Sequence, residues 1–356
     1  MGPTALQNYA ESLGGLGVAE YRGALTTTGF GDPQAELEAL YCSCGVYDLG
    51  YRAKLVITGG DRMRWLNGMV TNNVRDLVMG QGVYTFLLNP QGHILGDLYV
   101  YNRGESLMVD TDQSQVEKIL ATFDHYIIMD DVEAKNISEQ MTALGIAGPR
   151  AREIARACGI EIPEVRPLQI FDATCNCDCD CTRCTCVRGE STEPDSYELW
   201  LNPGDLKKTW DALVAHGAKP VGSDALELLR IKSGIPLYGV DIRERDLPQE
   251  TEQARALNFN KGCYIGQEIV ERIRSRGSVH RKFTGFVWIN GDSVAPGTKI
   301  VVGEKEVGEI TSARLLGENH PGLALGYIRR EFAVRGKEVL LGTTPARVWE
   351  LPFGKL

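Results

Sequence analysis

Residues 261–277 read Lys261-Gly262-Cys263-Tyr264-Ile265-Gly266-Gln267-Glu268-Ile269-Val270-Glu271-Arg272-Ile273-Arg274-Ser275-Arg276-Gly277. Glycines at 262 and 266 let the backbone turn tightly and admit a partner without Cβ clashes. The run Gln267-Glu268-Ile269-Val270 marks a helix start just beyond the loop. Cys263 then lies between a cation, Lys261, and a helix N-terminus, and both favour thiolate over thiol. On this reading Cys263 is the reactive thiol of the chain. The alternative is a core cysteine acting as a small hydrophobe, the commoner fate of a free Cys.

Upstream, Asp224 and Glu227 open a helix that Gly234-Ile235-Pro236 stops. Arg230 follows Leu226 by one helical turn on the same side, so its guanidinium requires a buried anionic or polar partner. Residues 84–89 and 93–102 flank Pro90-Gln91-Gly92, a turn signal that predicts an antiparallel hairpin. Within the hairpin Asp97 falls among Ile94, Leu95, Leu98 and Val100, where a carboxylate is costly unless paired, and Gly96 lets a ligand near the backbone. Ser114-Gln115-Val116-Glu117 reads as a capping box for a helix carrying Val116, Ile119, Leu120 and Phe123. From Phe283 onward short apolar strands alternate with turn signals, the pattern of a small β-barrel or sandwich. Strands and helices without regular βαβ alternation predict an α+β fold.

The chain has 356 residues, 43 % of them hydrophobic, enough for more than one domain core. A formal net charge of −9 argues against binding along a phosphate backbone, leaving the basic residues 272–282 as a local nucleic-acid contact at most. No signal peptide or spanning apolar run is evident, so we expect a cytoplasmic protein with no membrane association. The ten cysteines are then expected to be reduced.

The string from Lys261 to Glu268 is similar to the K-G-C-[FY]-x-G-Q-E signature of the YgfZ-type folate-binding family, relatives of the glycine-cleavage aminomethyltransferases. Residues 226–242, Gly45-Val46-Tyr47-Asp48-Leu49, Val70-Thr71-Asn72-Asn73 and residues 84–98 resemble folate-domain segments shared with those transferases. The resemblance implies an aminomethyltransferase folate-binding fold: three domains around a central channel that holds tetrahydrofolate or a one-carbon derivative. It implies a discontinuous domain of residues 1–53 and 143–280, a second of 54–142, and a C-terminal barrel of 281–356.

By the same resemblance Tyr84, Asp97, Glu198, Arg230 and Tyr238 surround the folate, with Glu198 accepting a matched pair of pterin N–H donors. Lys261, Gly262, Cys263, Tyr264, Gly266, Gln267 and Glu268 form the signature loop, and Cys263, Lys261 and Asp97 are the candidates for chemistry. The family's transferases carry two adjacent acids where this chain has Gly96-Asp97. The signature around Cys263 directs the reading toward a folate-binding accessory protein for iron–sulfur cluster assembly or repair and iron–sulfur-dependent tRNA modification, and the loss of one acid weakens a transferase reading. Its partners would be folate and iron–sulfur proteins or their assembly factors, and it would act as a monomer. The alternative is an aminomethyltransferase passing a one-carbon unit to tetrahydrofolate.

A third possibility, a thiol-based metal chaperone, rests on Cys175, Cys177, Cys179, Cys181, Cys184 and Cys186. Six soft thiolates suit Zn²⁺ or Cu(I), but the spacing is mostly C-x-C and no His accompanies it. A low-complexity insertion, spanning 173–190, is the plainer reading.

Overall fold

The computed structural model describes residues 2–173, 184–191, 193–289, 293–317 and 320–354, and among these the strands form four sheets. The chain divides into two units: Met1–Gly68, Asn73–Thr85 and Leu98–Leu226 in one, Met69–Asn72, Phe86–Asp97 and Glu227–Leu356 in the other.

In the first unit a six-stranded sheet runs in the order Ile170–Ala173, Cys184–Arg188, Ser196–Leu201, Thr142–Ala147, Gly45–Asp48, Lys219–Val221. Thr142–Ala147 is buried at every residue. A central strand covered on both faces has no reason to alternate, and Thr-Ala-Leu-Gly-Ile-Ala does not. Helix Leu206–Ala215 turns Leu206, Trp210 and Leu213 onto this core beside Val46, Leu144 and Leu199. Each such burial contributes about 1.5–3 kcal/mol. Helix Pro33–Cys42 starts where Asp32 accepts a bond from the Ala35 N–H and Pro33 presets the first turn.

A five-stranded sheet has the order Gly82–Leu88, Ile94–Asn102, Leu107–Asp112, Arg52–Thr58, Glu133–Asn136. Its first two strands are the hairpin expected around Pro90-Gln91-Gly92. Asn89 closes the turn, accepting the Gly92 N–H at its carbonyl and the His93 N–H at its side chain. The capping box at Ser114 is not formed: a 3-10 turn, Gln113–Gln115, precedes helix Val116–Tyr126 and supplies no side-chain cap. That turn leaves Ser114 exposed and buries Gln115 instead, while Val116, Ile119 and Phe123 still face inward.

In the second unit six strands close a barrel in the order Arg281–Trp288, Gly322–Arg329, Lys305–Leu315, Lys299–Val302, Glu338–Leu341, Thr344–Trp349. Closure removes the exposed edges, and Phe286, Trp288, Ile300, Ile310, Ile328 and Val348 fill the interior. The fold is α+β with a C-terminal β-barrel, as expected. Among the described residues no helix is long and apolar enough to cross a membrane.

Candidate functional site

Strand Arg52–Thr58 places Arg52 and Lys54 on one face, and strand Leu107–Asp112 does the same with Asp110 and Asp112. The antiparallel register sets Arg52 opposite Asp112 and Lys54 opposite Asp110. Lys54 is fully buried; its ammonium donates to Asp110 Oδ1 at 2.6 Å and lies 4.6 Å from the centre of the Trp200 ring. Arg52 donates to Asp110 Oδ2 at 2.6 Å and to Asp112 Oδ1 at 2.5 Å. Burial alone would raise the Asp110 carboxyl, but the charges of Arg52 and Lys54 hold it below the usual carboxylate range.

Trp200 Nε1 in turn donates to Glu198 Oε2 at 2.7 Å. Burial, then the negative charge of Asp110, raises the Glu198 carboxyl, while Lys54, Arg52 and the Trp200 N–H pull it back. On the other side Arg52 lies 5.7 Å from the Tyr99 ring, which packs on Tyr84 at 4.9 Å. Two residues singled out in sequence, Tyr84 and Glu198, thus belong to one continuous side-chain network.

The second unit holds the others. Asp97 is half-buried on its strand, close enough to Tyr238 that its charge, after burial and Glu244, raises the phenol. Arg230 finds the buried partner its position demands: it donates to Asp241 Oδ2 at 2.6 Å, the Ile235 carbonyl at 2.7 Å, Ser312 Oγ at 2.8 Å and the Glu227 carboxylate at 2.8 Å. These bonds tie helix Ser223–Lys232 to the barrel strand Lys305–Leu315.

The signature loop leads, as expected, into a helix, Gln267–Arg276, with Glu268 in its first turn. Lys261 is buried and donates to the carbonyls of Val70 at 2.5 Å and Asn72 at 2.7 Å, with the Tyr264 ring 5.0 Å below it. Gly262 and Cys263 are exposed. Gln267 folds back to accept the Tyr264 N–H, and Gly266 takes φ +80° at the helix start. In the basic stretch Arg281 is held by Asp246 and Glu250, Lys282 by Glu252 and Arg274 by Glu271.

Of the cysteine cluster, Cys175, Cys177, Cys179 and Cys181 lie outside the described residues. Cys184 and Cys186 are buried with sulfurs 3.7 Å apart. Among the described residues no three His, Cys, Asp or Glu side chains gather in a way that could hold a metal.

The family model described as the GCVT N-terminal domain matches residues 16–261. The chain belongs to this family. Within the GCVT family, the aminomethyltransferase of Staphylococcus haemolyticus (strain JCSC1435) is 25 % identical over 339 residues, covering 94 % of this chain and 92 % of that one. That of Rubrobacter xylanophilus is 28 % identical over 325 residues, covering 90 % and 86 %. The crystal structure of glycine cleavage system aminomethyltransferase T from Bartonella henselae superposes with a TM-score of 0.87 at 20 % identity, covering 98 % of this chain and 97 % of that one. The aminomethyltransferase fold is thereby established for this GCVT-family chain.

Arg52, Lys54, Tyr99, Asp110, Asp112 and Trp200 are the network members that sequence reading missed. Their signal was present: Arg52-Ala53-Lys54 and Asp110-Thr111-Asp112 place like charges two apart in strands that are otherwise apolar. Opposite signs at that period on two strands are what a cross-strand ion-pair ladder requires.

Proposed function

We propose that this chain binds tetrahydrofolate or a one-carbon derivative and acts on it as an aminomethyltransferase. The observation that carries this reading is the likeness to proteins named aminomethyltransferase over 94 % of this chain and 92 % of the relative. Bound folate supplies a nucleophilic amine as the one-carbon acceptor. The residues present fit it. A partly buried carboxylate steered by the Trp200 N–H, as in Glu198, suits the paired N–H donors of a reduced pterin. In the unit that holds Glu198 the Tyr84 ring offers aromatic surface; the family resemblance read from the sequence adds Tyr238 and gives Asp97 the role of a carboxylate able to take or return a proton at the folate amine. Arg230 positions its helix, since its guanidinium is engaged by Asp241, Ser312, Ile235 and Glu227.

The test is conversion of tetrahydrofolate to a methylene form by the purified protein with a lipoyl-aminomethyl donor. Turnover is expected, falling about 10²- to 10⁴-fold in Asp97→Asn. Absence of turnover with intact folate binding would instead support a second reading, the YgfZ-type accessory protein for iron–sulfur proteins. That reading is favoured by the Lys261–Glu268 signature, by exposed Cys263 and by Gly96 in place of a second acid. It requires that Cys263→Ser abolish support of iron–sulfur enzymes in a complementation assay while folding and folate affinity persist.

A further inference from the structure

Three cations, Arg22, Arg52 and Lys54, face Asp110 and Asp112, and Glu198 lies within reach of the charges of Arg52, Lys54 and Asp110. Arg22 reaches Asp112 at 3.5 Å, and Arg52 bonds both aspartates, taking Asp110 Oδ2 through Nε and Nη2. Asp110 is therefore paired before Lys54 is counted. A fully buried second cation on an already neutralised aspartate is costly, and an apolar side chain of similar length would serve packing better. Among the described residues bonded to these cations, two aspartates face three positive charges, and an ionised Glu198 supplies the third negative charge.

The geometry is suited to that task. Lys54 is held at both ends of its reach, by Asp110 Oδ1 and by the face of Trp200, and the N–H of the same indole holds Glu198. A cation over the ring makes the indole N–H a stronger donor, so the ammonium acts on Glu198 both through space and through the ring. The other groups facing Glu198 are the Tyr47 and Tyr101 phenols, whose own ionisation its charge suppresses.

Resting on the folate reading above, we propose that Lys54 is a positioning residue: through Trp200 it keeps Glu198 ionised and aimed, so that the carboxylate can accept two N–H donors from a reduced pterin. It makes no contact with the folate in this role. Specificity for a ring presenting two adjacent N–H groups would thus depend on a lysine buried beneath the site.

The test has two arms. Titration of Glu198 by ¹³C NMR of the ligand-free protein should show the carboxyl midpoint rising by about one pH unit or more in Lys54→Met. Tetrahydrofolate affinity should then fall about tenfold or more at pH 7 and return toward wild type at pH 9. Trp200→Phe, which removes the N–H and leaves the ion pairs, should raise the same midpoint and serves if Lys54→Met does not fold. An unchanged Glu198 midpoint in the folded variants would overturn the inference, as would a loss of affinity equal at every pH. Failure of wild-type protein to bind tetrahydrofolate while the midpoint shifts would remove the folate reading and leave the coupling of Lys54 to Glu198 standing.

Discussion

Gly266 packs directly on the carbonyl of Asn89: a Cβ at position 266 would stand 2.6 Å from the Asn89 oxygen. The signature loop and the Pro90-Gln91-Gly92 turn, far apart in sequence, are thus locked together, and Gly92 meets Ile269 in the same way, its own Cβ position lying 2.8 Å from the isoleucine Cβ. Gly266 also has φ +80°, where any Cβ is strained. Gly266→Ala should therefore destabilise the protein by about 2 kcal/mol or more, read as a lowered denaturation midpoint at unchanged m-value. A midpoint equal to wild type would mean the contact is not kept in solution.

Lys261 and Cys263, neighbours in the signature, should respond oppositely. Lys261→Met removes the buried bonds that its ammonium donates to the carbonyls of Val70 and Asn72 and should cost about 2–4 kcal/mol. Exposed Cys263→Ser should change stability by less than about 0.5 kcal/mol. Equal losses in a urea titration would assign the whole signature to packing.

Asp48 gives stability a pH dependence of its own. Burial raises its carboxyl from 3.8 to about 6, against the bonds it accepts from Thr4 and Gly50. The folded state keeps this proton to a higher pH than the unfolded state, so the contribution is complete below about pH 4 and is lost as pH rises through 6, by up to about 3 kcal/mol. Asp48→Asn should match wild type near pH 4 and exceed it by roughly that amount at pH 8. A constant difference between the two from pH 4 to 8 would contradict the assignment.

Arg230→Met leaves Asp241 buried, among the described residues, with the neutral donors Thr311, Ser312 and the Leu237 N–H. A loss of about 3–5 kcal/mol is expected in chemical denaturation. A loss below about 1 kcal/mol would mean that the ion pair adds little over those donors.

The hairpin at Pro90-Gln91-Gly92, the helix after Gly266 and the barrel beyond Phe283 were legible because each is written in local signals: turn residues, a glycine pair, strands at short spacing. The need of Arg230 for a buried anion was also legible, since one helical turn fixes its side, although which anion depends on the remote Asp241. Ser114 misled because a capping box and a 3-10 turn share the same residues, and tertiary burial of Gln115 decides between them. The Lys54–Asp110 pair was hidden for a different reason. Each strand shows its alternating charges, but only register tells that they oppose one another, and register is set by long-range pairing.

Tetrahydrofolate binding to the purified chain, followed by thermal unfolding, tests the folate reading most directly. At one hundred times the dissociation constant, wild type should gain about 2.7 kcal/mol of stability, and Glu198→Leu should lose most of that gain at the same folate concentration. No stabilisation of wild type by tetrahydrofolate up to millimolar concentration would contradict the proposed function.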